Sequence, residues 1–103
     1  MYAIENFREI CLPENIVVTQ HGRRRLVERN ITINDIINTI KSGEIIEDYP
    51  EDYPFPSCLI YGESFDKKIH VVGSISDGML YVITAYEPNP GKWDESLKKR
   101  REL

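Results

Sequence analysis

At 103 residues the chain has the commonest single-domain size, enough for one packed core and too short for two. Its 41% hydrophobic and 29% charged content is that of a globular protein, and no apolar run approaches the ~20 residues needed to cross a bilayer. A formal net charge of -4 argues against bulk attraction to nucleic acid, and Cys11 and Cys58 show neither CxxC spacing nor a disulfide framework.

In chain order, Ile4, Phe7, Ile10 and Cys11 recur at helical spacing, so Tyr2 to Leu12 is predicted to be a short helix that Pro13 ends. The same stretch holds Glu5 and Glu9 and lacks the basic start and small-residue cleavage site of a secretory signal, which predicts a cytosolic protein. Ile16 to Val18 reads as a brief extended piece. Thr19 then caps a helix running to about Arg29, and Asn30 suits the left-handed conformation that closes one. Thr32 with Asp35 three residues on has capping-box spacing, and Ile33, Ile36, Ile37 and Ile40 form one apolar stripe that Gly43 stops.

From Glu44 the period changes. Glu44 to Tyr49 and Cys58 to Tyr61 read as strands on either side of an acidic, proline-rich loop, Pro50 to Pro56. Ile69 to Ser76 and Met79 to Tyr86 read as a hairpin closed by the type I′ pair Asp77-Gly78, which sets Ser76 opposite Met79. That register puts Ile69, Val71, Gly73, Ile75, Leu80, Val82, Thr84 and Tyr86 on a core face. It puts His70, Val72, Ser74, Tyr81, Ile83 and Ala85 on the other, functional, face, and a bulge in either strand would reverse part of this assignment. Asn89 as cap and Pro90 in the first turn predict a final helix that docks through Trp93 and Leu97. The pattern amounts to an α+β domain over residues 1–103, with N-terminal helices, about four strands and a C-terminal helix.

The charges are two-sided. Arg23, Arg24, Arg25 and Arg29 cluster against a lone Glu28, whereas residues 42 to 66 carry seven acids and no base. At 100° per residue His21, Arg24, Arg25 and Glu28 share one side of their helix, while Leu26 and Val27 point away and are expected to be buried. Such a set can bind a phosphate through arginine, orient a histidine through glutamate, and transfer protons near neutral pH. For an arbitrary sequence, a solvated face with an Arg-Glu pair is the commoner meaning of that pattern. His70 is a second candidate, on the face of Ser74 and Tyr81; Tyr81, Tyr86 and Trp93 can stack bases, although such aromatics more often belong to a core or lid. His21, His70, Cys11 and Cys58 lack the spacing of a zinc site, and there is no GxGxxG, Walker or GxSxG motif, so neither metal nor cofactor is expected.

His21-Gly22-x-x-Arg25-Leu26-x-Glu28-Arg29-x-Ile31, Gly43-Glu44-Ile45-Ile46, Pro56-Ser57-Cys58-Leu59, His70-Val71-Val72 and Thr84-x-Tyr86-x-Pro88 with Trp93 occur in order. Over about residues 16 to 101 the chain thereby resembles the bacterial family catalogued as domain of unknown function 4258. The resemblance implies a RelE/ParE-like toxin fold, in which N-terminal helices pack on a twisted antiparallel sheet, and a toxin-antitoxin role with a small antitoxin encoded next door. The leading expectation is a metal-independent endoribonuclease acting through the ribose 2′-hydroxyl. His21 serves as general base or acid, Glu28 orients it, Arg25 with Arg24 holds the phosphate, and His70 or Tyr86 is the opposite proton-transfer partner. Arg29, Tyr81 and Trp93 complete the RNA contacts. The competing expectation is a non-catalytic interaction module whose basic helix face docks an acidic partner, while the acidic 44 to 66 segment meets another protein or a second copy.

Overall fold

The computed structural model describes residues 1–102. Apolar spacing and capping chemistry place three helices ahead of most of the sheet: α1 (Ile4–Glu9), α2 (Gln20–Glu28) and α3 (Ile33–Ser42). Thr19 accepts the Gly22 N–H at the start of α2, and Thr32 and Asp35 form the reciprocal box at the start of α3. Between them Asn30 takes φ 57, the left-handed residue that lets the chain reverse. Arg8 of α1 donates to the Ile40 and Gly43 carbonyls at 3.3 and 2.8 Å, supplying donors to the acceptors that the end of α3 leaves unpaired.

Five strands, β1 (Ile16–Val18), β2 (Glu44–Tyr49), β3 (Ser57–Ser64), β4 (Lys67–Ser76) and β5 (Met79–Tyr86), form one sheet in the order β1-β5-β4-β3-β2. The class is α+β, but the expectation of about four antiparallel strands is corrected. The extended piece at 16–18 is a fifth strand, and it runs parallel to β5, pairing Ile16 with Leu80 and Val18 with Val82, so the sheet is mixed. Three consecutive apolar residues show no alternation, and nothing local announces a partner so far along the chain.

The hairpin turns on Asp77 (φ 52) and Gly78 (φ 73), with Ser76 facing Met79. A bulge then intervenes. Val72 pairs with Thr84 but Gly73 pairs with Val82, leaving Ile83 as the extra residue of β5. Beyond it the faces exchange: Ala85 is buried in the core, while Tyr86 turns toward His70. The placing of Tyr86 and Thr84 on the core face and of Ala85 outside is corrected accordingly.

The three helices cover one face of the sheet, where Phe7, Ile36 and Ile40 pack with Ile60, Ile69, Val71 and Leu80. The C-terminus of α3 lies so close to β3 that a Cβ on Gly62 would stand 2.1 Å from the Thr39 carbonyl oxygen. The predicted C-terminal helix does not form. Residues 92–101 instead make a strap across the opposite face, with the Asp94 N–H donating to the Lys99 carbonyl at 2.8 Å and Arg101 N–H to the Lys92 carbonyl at 2.9 Å. Asp94 accepts from the Ser96 N–H and hydroxyl, and Ser96 accepts from the Lys98 N–H. These local side-chain bonds divert backbone groups that a helix needs. Among the described residues no helix is long and apolar enough to cross a membrane.

Candidate functional site

Alternation along β4 sends Ile69 and Val71 into the helix-side core and His70 out of the opposite face. There it is flanked by its cross-strand neighbours, Tyr61 of β3 and Tyr86 of β5. Trp93 from the strap closes over it edge-on, and His70 has no exposed surface. Its Nε2 lies 2.7 Å from the Leu97 carbonyl oxygen, an acceptor only, so Nε2 carries the proton and Nδ1 offers its lone pair to the Tyr86 hydroxyl at 3.4 Å. Burial pushes the imidazole pKa down, outweighing the Leu97 carbonyl and the Glu47 charge that favour the cation. His70 is therefore a neutral acceptor toward Tyr86, whose own pKa burial raises.

Beside this pair stands an ionic cluster. Arg100 grips Glu47 with two guanidinium nitrogens, its Nε to Oε2 and its Nη2 to Oε1, each at 3.1 Å, while the Tyr49 hydroxyl donates to Glu47 at 2.6 Å. Burial alone would raise the Glu47 carboxyl, but the Arg100 and Tyr49 hydrogen bonds hold it below the usual range; burial and the Glu47 contact push Tyr49 up to about 12. The Arg100 guanidinium also lies 4.6 Å over the Trp93 ring. Tyr86, Glu87, Asn89, Lys92, Trp93 and Arg100 line an adjoining cleft of 270 Å³. Lys92 is exposed there and makes no ion pair among the described residues.

The α2 face is different in kind. His21, Arg24, Arg25 and Glu28 are all exposed, and His21 Nε2 accepts from Arg25 Nε at 3.0 Å. Neither Arg24 nor Arg25 pairs with Glu28 or any other described acid. Leu26 is buried as expected, but Val27 is 80% exposed, which corrects its assignment to the core. It sits on the rim between α2 and α3 and not over the sheet. Arg29 alone reaches inward, donating to Thr84 Oγ1 at 3.1 Å and the Ala85 carbonyl at 2.9 Å, which fastens α2 to the end of β5 beside Tyr86.

The structure thus brings His70, Tyr86 and Trp93 together, with Arg29 alongside, and separately pairs His21 with Arg25. It does not join the two sets: α2 seats Leu26 in the core on one side of the sheet, while His70 faces the other. Tyr81 lies apart from both, packed against Phe55 with ring centroids 6.4 Å apart. Glu47, Tyr49, Tyr61, Lys92 and Arg100 escaped the sequence reading. Lys92 and Arg100 were absorbed into a helix that does not form, the regular β3–β4 register sets Tyr61 beside His70, and the bulge at Ile83 brings Tyr86 to its other side. Among the described residues no three His, Cys, Asp or Glu side chains are placed to hold a metal ion. Both cysteines are buried, and burial pushes the Cys58 thiol up to about 12, far from a thiolate.

A family model described as Domain of unknown function (DUF4258) matches residues 18–87, well over half the chain. The matched segment contains α2, Arg29, His70 and Tyr86 but not the strap residues Trp93 and Arg100. No curated protein and no solved structure matches the chain.

Proposed function

The chain belongs to the DUF4258 family, and on that premise we propose that it is the toxin of a toxin-antitoxin pair, acting as a metal-independent endoribonuclease. The grouping of the family with RelE- and ParE-like toxins, implied by the resemblance, supports the toxin half of this reading. One observation carries the chemistry: the Tyr86 hydroxyl stands between a neutral, buried His70 acceptor and a cleft that holds Lys92 and Arg100.

In this reading an RNA strand enters the cleft with its scissile phosphate on Lys92. The ribose 2′-hydroxyl gives its proton to the Tyr86 oxygen as Tyr86 passes its own to His70 Nδ1. The 2′-oxygen then bonds to phosphorus, the bond to the 5′-oxygen breaks, and that oxygen takes a proton from the Lys92 ammonium. A 2′,3′-cyclic phosphate and a 5′-hydroxyl result, with no cofactor consumed. The Glu47 carboxylate favours the imidazolium that forms. Arg29 is the cation at the end of α2 nearest Tyr86; His21, Arg24, Arg25 and Glu28 lie on the separate exposed helix face and take no part in the transfer. Proton transfer moves from His21 to His70 and Tyr86.

The test is incubation of the purified chain with a mixed-sequence RNA in EDTA, with the ends of the products analysed. Cyclic phosphate ends, lost in Tyr86→Phe and absent on a DNA of the same sequence, are expected. Equal cleavage by wild type and Tyr86→Phe would falsify the assignment. A second reading, a non-catalytic interaction module, is favoured by the complete covering of His70 by the strap. An inert chain that co-purifies with the product of the adjacent gene would select it.

A further inference from the structure

α2 has a third face that neither the sheet nor the His21 set uses. Arg23 and Val27 project beside α3, where a groove of 340 Å³ is lined by Arg23, Leu26, Val27, Asn30, Ile31 and Ile33. Its floor is apolar, its mouth carries the Arg23 guanidinium, and Arg23 has no ion pair among the described residues. The loop between β2 and β3 is its chemical complement. Tyr53 projects there 96% exposed, next to the exposed acids Glu51 and Asp52 and to Phe55, itself 42% exposed. Within one copy the two do not meet, because no loop residue lines the groove.

We propose that the groove is the docking site for the Glu51-to-Phe55 loop of a second copy of this chain. The Tyr53 ring enters the apolar floor between Leu26 and Ile33, where a desolvated aromatic anchor contributes most to association. Glu51 meets Arg23 at the rim, where the charge pair sets partner choice and on-rate. Charge complementarity selects a second copy: the loop acids Glu51 and Asp52 make no ion pair among the described residues, and neither do Arg23, Arg24 and Arg25 of α2. The contact is heterologous, groove to loop, and closes only if the same contact is made in both directions. The groove shares no residue with the Tyr86 cleft, so this association stands or falls independently of RNA cleavage.

Sedimentation velocity of the full chain over a concentration series is the test. Self-association that weakens as salt rises is expected. Tyr53→Ser, Arg23→Glu and Glu51→Lys should each weaken it by about tenfold or more. All three positions are exposed and make no side-chain hydrogen bond, so unchanged circular dichroism will show that the variants fold. A one-to-one mixture of Arg23→Glu with Glu51→Lys should recover association that neither shows alone, since each supplies the element the other lacks. A wild-type chain that is monomeric up to about millimolar concentration overturns the proposal and leaves the groove to a different protein. Association untouched by Tyr53→Ser, or a mixture that recovers nothing, overturns it equally.

Discussion

The Trp93 indole stands edge-on to the His70 imidazole, with ring centroids 4.5 Å apart and planes at 89°. A residue of the strap and one of a central strand thereby share a contact that covers the outer face of the sheet, and Arg100 stacks on the same indole.

Removing that indole should open the face. Trp93→Ala is expected to destabilise the chain by about 3 to 5 kcal/mol, as truncation of a buried aromatic does. It should also expose His70 to reagents. Diethylpyrocarbonate labelling read by mass spectrometry should mark His21 alone in wild type and both histidines in the variant; protection of His70 in the variant would show that the strap holds without its tryptophan.

Stability should fall as the pH drops below the usual histidine value of 6.5. Burial lowers the His70 pKa in the folded chain, so between the folded and unfolded values the unfolded chain binds the extra proton. The His70 contribution is therefore complete above the unfolded pKa and lost as pH falls through the folded one. Urea titrations from pH 8 to 5 should show this loss, and His70→Gln should lack that part of the slope.

Gly62→Ala should be among the most damaging single substitutions. The new Cβ would meet the Thr39 carbonyl oxygen at 2.1 Å, a backbone atom that cannot swing aside, so α3 and β3 must separate. A loss of about 3 kcal/mol is expected from overpacking at a closely packed contact. Gly78→Ala meets no atom within 4 Å and suffers only from its φ of +73, so about 1 kcal/mol is expected there. Paired denaturant midpoints check the contrast.

Glu47 and Arg100 should behave as one unit. Arg100 is 60% exposed at its side chain, so solvent screening limits what the bidentate pair contributes to roughly 0.5 to 1 kcal/mol. Either alanine substitution alone should cost about as much as both together, which a double-mutant cycle measures. Additive losses would mean that the pair is geometrically neat but energetically idle.

Tyr86→Phe should separate chemistry from folding. Its hydroxyl is 3.4 Å from His70, a long contact, so the midpoint of unfolding should barely move. Cleavage, if Tyr86 relays the proton, should drop by about 10² or more. The two readouts, taken on one preparation, distinguish a relay from a structural tyrosine.

The parts legible in the sequence were those fixed by local chemistry. Thr19, Thr32 with Asp35, Asn30 and Asp77-Gly78 each specify a cap or turn within four residues, and each is found where its spacing put it. Tyr86 is legible as a candidate but reads as a core-face residue, because one extra residue at Ile83 exchanges the faces of a strand, and a bulge inserted amid apolar residues leaves no signature. The tail misled because Asn89-Pro90 and the charges after Trp93 satisfy helix rules, whereas the outcome depends on a tertiary docking of Trp93 onto His70. The His21 face was read correctly as a helix surface; that it does not share a cleft with His70 follows from which side of the sheet each element takes.

The register of Ile16 with Leu80 governs when this molecule can come into being. A chain emerging from the ribosome carries Ile16-Val17-Val18 and the apolar stripe of α3 with no finished sheet to lie against until β5, the last of the five strands in chain order, is made. Closure over so long a separation is slow, and unpaired apolar segments are open to wrong partners in the interval. Translation through β5, and not the early folding of the helices, sets the moment at which the nascent chain can bury its first strand.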